Sequence, residues 1–187
     1  MVLGRPDEAL AQIKKGLDLD PFNIVVQGFY AMDLLFVRRY DEAIAQARKA
    51  LAMQPGYAPA QTALYQALFM LGRYEEALAL DRADFASDPE SLEAFDRGFA
   101  EGGYFGSQKR WAELMEKRHK KGEVPAFMVA IGYVWAKEID LALEWLEKAV
   151  EEHDPNMPYL SCWPCYDYLR SEPRFRDLLK KLKLDQR

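Results

Sequence analysis

Two cysteines separated by two residues are the first candidates for chemistry in this sequence. Cys162 and Cys165 flank a tryptophan and a proline, and a pair with this spacing can form a redox-active disulfide or supply half of a zinc site. Redox pairs of this kind begin a helix within a strand-helix-strand unit, but no strand pattern precedes Cys162. We therefore expect both cysteines to pack as small apolar side chains.

Other catalytic and metal-binding patterns are incomplete. A zinc site needs two good ligands besides the cysteine pair, and the only histidines are His119 and His153. The glycine-rich stretch 102–106 lacks the Gly-Lys-Ser/Thr string of a phosphate-binding loop, which favours a turn between helices. No serine lies in a nucleophile-elbow string, and nothing resembles a catalytic triad. The sequence therefore predicts no enzyme, no metal and no cofactor.

The composition is that of a folded protein without a nucleic-acid or membrane surface. Half of the 187 residues are hydrophobic and 29% are charged, which excludes a disordered chain. The formal net charge of −5 argues against nucleic-acid binding, since that needs a net excess of Lys and Arg. No apolar stretch approaches the roughly 20 residues of a membrane helix, and the first ten residues lack the apolar core of a signal peptide. We expect a cytoplasmic protein, and we expect the basic run 117–121 to be the solvated last turn of a helix.

A 34-residue repeat organises the first half of the chain. The strings Gly-Arg-Pro-Asp-Glu-Ala at 4–9, Arg-Arg-Tyr-Asp-Glu-Ala at 38–43 and Gly-Arg-Tyr-Glu-Glu-Ala at 72–77 align without an insertion. The same shift aligns three prolines, Pro21, Pro55 and Pro89. The acidic pairs suit first helical turns and the prolines end helices. A period of this length is typical of stacked helix-turn-helix arrays.

Apolar residues between these markers are spaced for helices that pack on one another. After the second string the stripe is Ala43, Ile44, Ala47, Ala50 and Leu51. The preceding helix carries Val25, Phe29, Met32 and Phe36. Spacings of three and four mark one side of a helix, and small alanines let two helices approach closely.

These units resemble tetratricopeptide repeats, on the Gly-x-Tyr-Glu-Glu-Ala string at 72–77, the alanines and the closing prolines. The resemblance implies an all-α fold, a right-handed superhelical stack of antiparallel helix pairs. We expect one solenoid over residues 1–187. Its predicted parts are a partial repeat 1–23, repeats 24–57 and 58–91, an irregular repeat 92–122, a repeat 123–156 and a C-terminal capping segment 157–187. The later helices are expected at 91–101 and 107–121, joined through 101–106, and at 124–136 and 140–152.

The end of the chain carries a second resemblance. The string Arg-Ser-Glu-Pro-Arg-Phe at 170–175 is similar to the Arg-Ser-Asp-Pro-Arg-Phe string of bacterial signalling and transcriptional regulator proteins with tetratricopeptide-like tails. Glu172 stands where those proteins have aspartate. The resemblance implies the sensing or scaffolding region of a bacterial signalling protein.

In tetratricopeptide repeats the first helix of each pair lines a concave groove that binds extended or helical peptides. The corresponding residues here are Met32, Leu35, Phe36, Gln66, Phe69, Met70, Ile131 and Trp135. Packing against a neighbouring helix is the alternative interpretation of each. The Lys and Asn of repeats that clamp acidic tails are absent, so we expect an amphipathic helix or an aliphatic peptide as the protein partner.

Two further hypotheses concern the ends of this stack. Gly4 stands at a repeat turn with only three residues before it, so we expect either a longer parent protein or a homodimer through the N-terminal helix, along Leu10, Ile13 and Leu17. The alternative function is a small-molecule sensor with a pocket in the irregular fourth repeat. That pocket would lie beside Tyr104, Phe105 and Trp111.

Overall fold

The computed structural model describes residues 5–185, and within that range every side chain except that of Pro6. Gly4, where the first repeat string begins, lies outside the described residues. The α-helices are Pro6–Leu19 (α1), Ile24–Phe36 (α2), Tyr40–Met53 (α3), Ala58–Met70 (α4), Tyr74–Asp84 (α5), Pro89–Lys120 (α6), Ala126–Ala136 (α7), Ile139–Glu151 (α8) and Pro173–Lys181 (α9). Two 3-10 helices, Met157–Ser161 and Pro164–Leu169, lie between α8 and α9. Residues 5–185 contain no strand, and the predicted all-α, tetratricopeptide-like class is confirmed.

The chain divides into two compact units. Of the described residues, the first unit has 5–77 and 162–164, and the second has 78–161 and 165–185. The division into six segments stays a prediction. Within the described range, no helix combines the length and the apolar character needed to cross a membrane.

In the first unit α1 packs on α2, α2 on α3 and α3 on α4, and α2 also packs on α4. Ala43, Ala47 and Ala50 of α3 have no exposed surface, as expected for a stripe of small residues between closely packed helices. Gly28 of α2 lies against the ring of Tyr57, where a Cβ atom would come within 2.3 Å of the ring. Most of the predicted α3 stripe therefore lies in the core of this unit, whereas Val25 and Phe29 of the predicted α2 stripe are about half exposed.

The turn that ends α2 recurs 34 residues later at the end of α4. Arg38 and Gly72 both have positive φ, 64° and 70°. In each turn the next backbone amide donates to the carbonyl five residues earlier, at 3.0 and 2.9 Å. A left-handed residue with this hydrogen bond is a common helix ending, and glycine suits it best. Two strings that align in the sequence thus share one backbone geometry.

Helix α6 in the second unit is a hairpin of two helical arms, 89–101 and 104–120. Only Gly102 and Gly103 leave the helical conformation between them. The predicted connection 101–106 is therefore too long, because Gly103 adopts a positive φ of 61° with ψ −146°, which lets the chain reverse within two residues. The arms meet at Gly98 and Gly106, where a Cβ atom on either glycine would lie 2.2 Å from the carbonyl oxygen of the other.

Two residues of the basic run 117–121 are packed rather than solvated. Arg118 binds both carboxylate oxygens of Asp88, at 2.5 and 2.8 Å, and so joins the two ends of the α6 hairpin. His119 lies edge-on to Trp145 with ring centres 5.1 Å apart. The expectation of a fully solvated turn is wrong for these two side chains, because they face other elements of the unit.

The remaining helices follow the predicted order. Helix α7 packs on α6, and α8 packs on both α7 and α9; α7 and α8 begin and end within two residues of the predicted 124–136 and 140–152. Most of α7 is buried, and Gly132 lets its backbone approach Ala112 of α6, which a Cβ atom would meet at 2.8 Å. The final helix α9 begins at Pro173, inside the string at 170–175.

Candidate partner-binding surface

Most of the eight predicted groove residues are buried. Met32, Leu35, Gln66, Phe69, Ile131 and Trp135 are less than one-tenth exposed, whereas Phe36 and Met70 are half-buried. The first unit holds six of the eight on α2 and α4, and α7 of the second unit carries Ile131 and Trp135. The structure thus brings six together, of which Phe36 and Met70 keep part of their surface open. A peptide groove at these eight residues stays a prediction.

An open apolar surface lies along one side of α2. Phe22 is 82% exposed just before the helix, Val25 is 50% and Phe29 is 48% exposed, and Phe36 is half-buried. Asp33 follows Phe29 by four residues and precedes Phe36 by three, so it lies on the same side of the helix. These five residues, Phe22, Val25, Phe29, Asp33 and Phe36, are called the α2 face below. Sequence periodicity reveals this stripe, but it does not show that the stripe stays uncovered.

The start of the α2 face is fixed by hydrogen bonds. The Asp20 carboxylate accepts from the Phe22 amide at 3.2 Å and from the Asn23 side chain at 3.3 Å. Asn23 caps α2 by accepting from the amides of Val25 and Val26, at 3.1 and 3.2 Å. Such a cap satisfies amides that the helix itself cannot pair. The exposed Phe22 therefore belongs to an ordered turn.

Asp33 places a carboxylate in this apolar surface. The side chain is half-buried, and no residue in the range 5–185 forms a hydrogen bond or an ion pair with its carboxylate. Burial raises the pKa of this carboxyl group above its ordinary value, because a partly desolvated carboxylate disfavours its charged form. Sequence reasoning did not single out Asp33, although it is the only charged residue in α2.

Gln66 of α4 is a buried polar residue whose side-chain amide is left unsatisfied by the described part of the chain. It is 1% exposed, and neither its Nε2 nor its Oε1 has a hydrogen-bond partner among the described residues. Gln27 of α2, equally buried, donates to the carbonyl of Pro21 and accepts from Gln46. Gln66 occupies the repeat position that Met32 holds in α2, and an apolar side chain there leaves no polar atom unpaired.

A cleft of about 400 Å³ opens in the second unit beside the break in α6. Phe105 lines it together with Gly102, Gly106 and Lys109. Tyr104 and Trp111 do not line it, since both are buried. Of the three aromatic residues of the predicted sensor pocket, Phe105 alone lines this cleft, and the small-molecule function stays a prediction.

The cysteine pair and the N-terminal helix complete the predicted sites. Cys165 is buried and Cys162 half-buried, and the described part of the chain contains no group of three or more His, Cys, Asp or Glu that could hold a metal ion. Leu10, Ile13 and Leu17 of α1 are all half-buried. The homodimer through α1 stays a prediction.

Comparison with known proteins supports the repeat. Residues 37–94 match a family model described as Tetratricopeptide repeat. The matched stretch includes α3, α4 and α5 and the 72–77 string. No curated protein matches the chain.

Proposed function

We propose that this tetratricopeptide-repeat protein is a non-catalytic interaction module that holds a peptide or a helix of a partner protein on the α2 face. Tetratricopeptide repeats generally mediate protein–protein interaction. The observation that carries the proposal is the exposure of Val25 and Phe29 on an ordered, capped helix, with Phe22 exposed in the turn just before it. Contiguous exposed apolar side chains mark interaction sites more often than scattered ones do.

The residue types of the α2 face suit such a partner. Aromatic side chains supply much of the binding energy at protein interfaces when a partner removes them from water. Phe29 and Phe36 are seven residues apart and can therefore serve as anchors two helical turns apart for an amphipathic helix or an aliphatic peptide. Met70 on α4 of the same unit also keeps part of its surface open, and methionine adapts to irregular partners.

A role as the sensing or scaffolding region of a bacterial signalling protein is the finer part of this proposal. Its support is the string at 170–175, which introduces α9. The interaction through the α2 face does not depend on that finer role, because it rests on residues of the first unit alone.

The α2 face is tested by panning a displayed library of random 16-residue peptides against the folded protein. Enriched peptides are synthesised with a fluorescent label, and their affinity is measured by anisotropy. We expect Phe29→Ser to weaken binding by roughly tenfold or more, as for other interface anchors. The control is Phe99→Ser, which removes a phenylalanine of similar exposure, 45%, from the second unit.

The two variants distinguish binding at the α2 face from non-specific binding to any exposed phenylalanine. Equal affinity of the enriched peptides for the wild type and Phe29→Ser would reject the α2 face as the binding site. Failure to enrich any peptide would reject the proposed function itself. Thermal unfolding of both variants, followed by circular dichroism, establishes that each remains folded.

A further inference from the structure

We infer, on the basis of the proposed function, that the occupant of the α2 face is an α-helix of a partner protein, seated in the groove between α1 and α2. The internal repeat indicates this occupant. A shift of 34 residues carries α1 onto α3 and α2 onto α4, and the limits of both helices match to the residue. Whatever packs on α3 and α4 therefore indicates what α1 and α2 can receive.

Helix α2 fills the groove between α3 and α4. It packs on both of these helices, which also pack on each other. Gly28 of α2 lies against the start of α4, since a Cβ atom there would be 3.5 Å from the Pro59 side chain. Ala63 follows Pro59 by one helical turn on the same side of α4, and it has no exposed surface. This side of α4 is thus the side that α2 covers.

The corresponding side of α2 is open. Val25 and Phe29 stand one period before Pro59 and Ala63, and they are 50% and 48% exposed. Helix α1 packs on α2 as α3 packs on α4. Among residues 5–185, however, no further helix packs extensively on α1. The described chain therefore forms this groove and leaves it unfilled.

Helix α1 shows the same lack of cover independently of α2. Ala9, Leu10 and Ile13 are half-buried, and no described side chain of α1 is buried. The counterparts one period later in α3 are all buried: Ala43, Ile44 and Ala47. Since α3 packs on α2 as well as on α4, whereas α1 packs on α2, the missing cover of α1 and of α2 belongs to one absent helix.

The residue types on the open side favour a partner protein over one more internal repeat. Where α4 has Ala60 and Ala63, α2 has Val26 and Phe29. Alanine suits the close packing of helices within the unit, whereas exposed aromatic side chains supply binding energy at interfaces between proteins. Both α2 and α4 have 13 residues. We therefore expect a partner helix of similar length, with a glycine or an alanine where it meets Phe29.

The peptides enriched by panning test the conformation of the occupant. Peptides of 16 residues are long enough for such a helix but are marginally helical when free. We expect apolar residues three and four positions apart, with a glycine or an alanine among them, and a gain of helical circular dichroism on binding. Peptides that depend on Phe29 but bind without gaining helix would overturn the inference and leave the interaction module standing.

A variant of α1 tests whether the groove, rather than α2 alone, holds the peptide. Ile13→Ser should weaken the binding of the enriched peptides by roughly tenfold or more. The control is Ile139→Ser in the second unit, which removes an isoleucine that is 38% exposed and should leave the affinity unchanged. Unchanged affinity for Ile13→Ser would overturn the inference alone. Unchanged affinity for Phe29→Ser would overturn the proposed function as well.

A larger side chain at position 9 tests the groove without removing any contact. Ala9→Leu fills part of the open groove, so it should weaken peptide binding by roughly tenfold or more while the unfolding temperature stays near that of the wild type. Ala43→Leu makes the same change at the covered position one period later and should lower the unfolding temperature, because it overpacks a closed contact. Equal decreases for the two variants would show that position 9 is already covered and would overturn the inference.

Light scattering distinguishes a partner helix from a second copy of this chain. The free protein should be a monomer at the concentrations used for the binding measurements. A dimer that both Phe29→Ser and Ala9→Leu dissociate would assign the groove to a second copy and overturn the inference.

Discussion

At the residue scale, Gln66 is a buried side chain whose hydrogen-bonding atoms have no partner among the described residues. The preceding repeat has Met32 at the corresponding position, and the two are separated by one 34-residue period. A buried donor or acceptor without a partner costs about 1–3 kcal/mol, and Gln66 has both kinds of atom in this condition. Methionine, which the preceding repeat has at this position, is therefore the substitution that tests this cost.

We predict that Gln66→Met raises the free energy of unfolding by about 1–3 kcal/mol, because methionine has a similar shape and no polar atoms to leave unpaired. Urea denaturation followed by circular dichroism measures the change. Gln27→Met is the control and should destabilise the protein, since it removes an amide that binds the Pro21 carbonyl and Gln46. A decrease for Gln66→Met would mean that its amide has partners in solution.

The sequence places single residues on helix sides better than it reveals their surroundings. Periodicity is sufficient to align Val25, Phe29 and Phe36 along one side of α2. It also places Gln66 on the side of α4 that is predicted to line the groove. Burial depends instead on what the neighbouring helices bring against each position, and that varies between repeats with the same period. Phe29 is open whereas Ala63, one period later, has no exposed surface.

The α6 hairpin shows the same limit at the scale of an element. Glycines at 102, 103 and 106 all favour a turn in the sequence, and a six-residue connection is the natural interpretation. In the structure Gly102 and Gly103 make the reversal, while Gly98 and Gly106 permit the two arms to touch backbone to backbone. A contact between two glycine backbones involves no side chain, so it does not appear in the hydrophobic pattern. The sequence therefore predicts both arms but not the point where they touch.

The contact between the two arms predicts that alanine substitutions at two glycines of this hairpin differ in their effect on stability. A Cβ atom at position 98 would lie 2.2 Å from the Gly106 carbonyl oxygen, whereas one at position 102 would meet nothing within 4 Å. We expect Gly98→Ala to lower the free energy of unfolding by about 3 kcal/mol or more, because backbone must move to accommodate it. Gly102→Ala should change it by no more than about 0.5 kcal/mol. Equal effects in urea denaturation would contradict the packing of the two arms.

At the scale of the whole molecule, the two units differ in how closely they follow the repeat. The first contains two of the three aligned strings within its described residues, and its paired turns at Arg38 and Gly72 have the same geometry. The second departs from the 34-residue register with the α6 hairpin and the 3-10 helices, yet it keeps the alternation of packed helices in α6, α7 and α8. Period and composition are enough to predict the helical class of both units, whereas only the first could be aligned residue by residue.

Charge pairs in both units predict how stability depends on pH. Arginines hold the pKa of Asp88, Glu42, Glu76 and Glu101 below the ordinary values, chiefly through hydrogen bonds to the carboxylates. These groups therefore bind protons more readily in the unfolded chain, so their stabilising effect is complete above a pH of about 4 to 5 and is lost as the pH falls. Exposed pairs contribute little, which leaves Asp88 and Arg118, the least exposed of these pairs, as the main contributor.

Asp88→Asn isolates that contribution, because asparagine still caps a helix but has no charge and only one acceptor oxygen for Arg118. We expect the variant to be less stable than the wild type at pH 7 by about 1–3 kcal/mol, the range for hydrogen bonds to charged groups. The difference should shrink as the pH falls from 5 to 2, because protons then bind the Asp88 carboxyl group of the unfolded wild type and favour unfolding. Urea denaturation at a series of pH values measures both stabilities. A difference that stays constant over this range would show that the charge of Asp88 does not stabilise the hairpin.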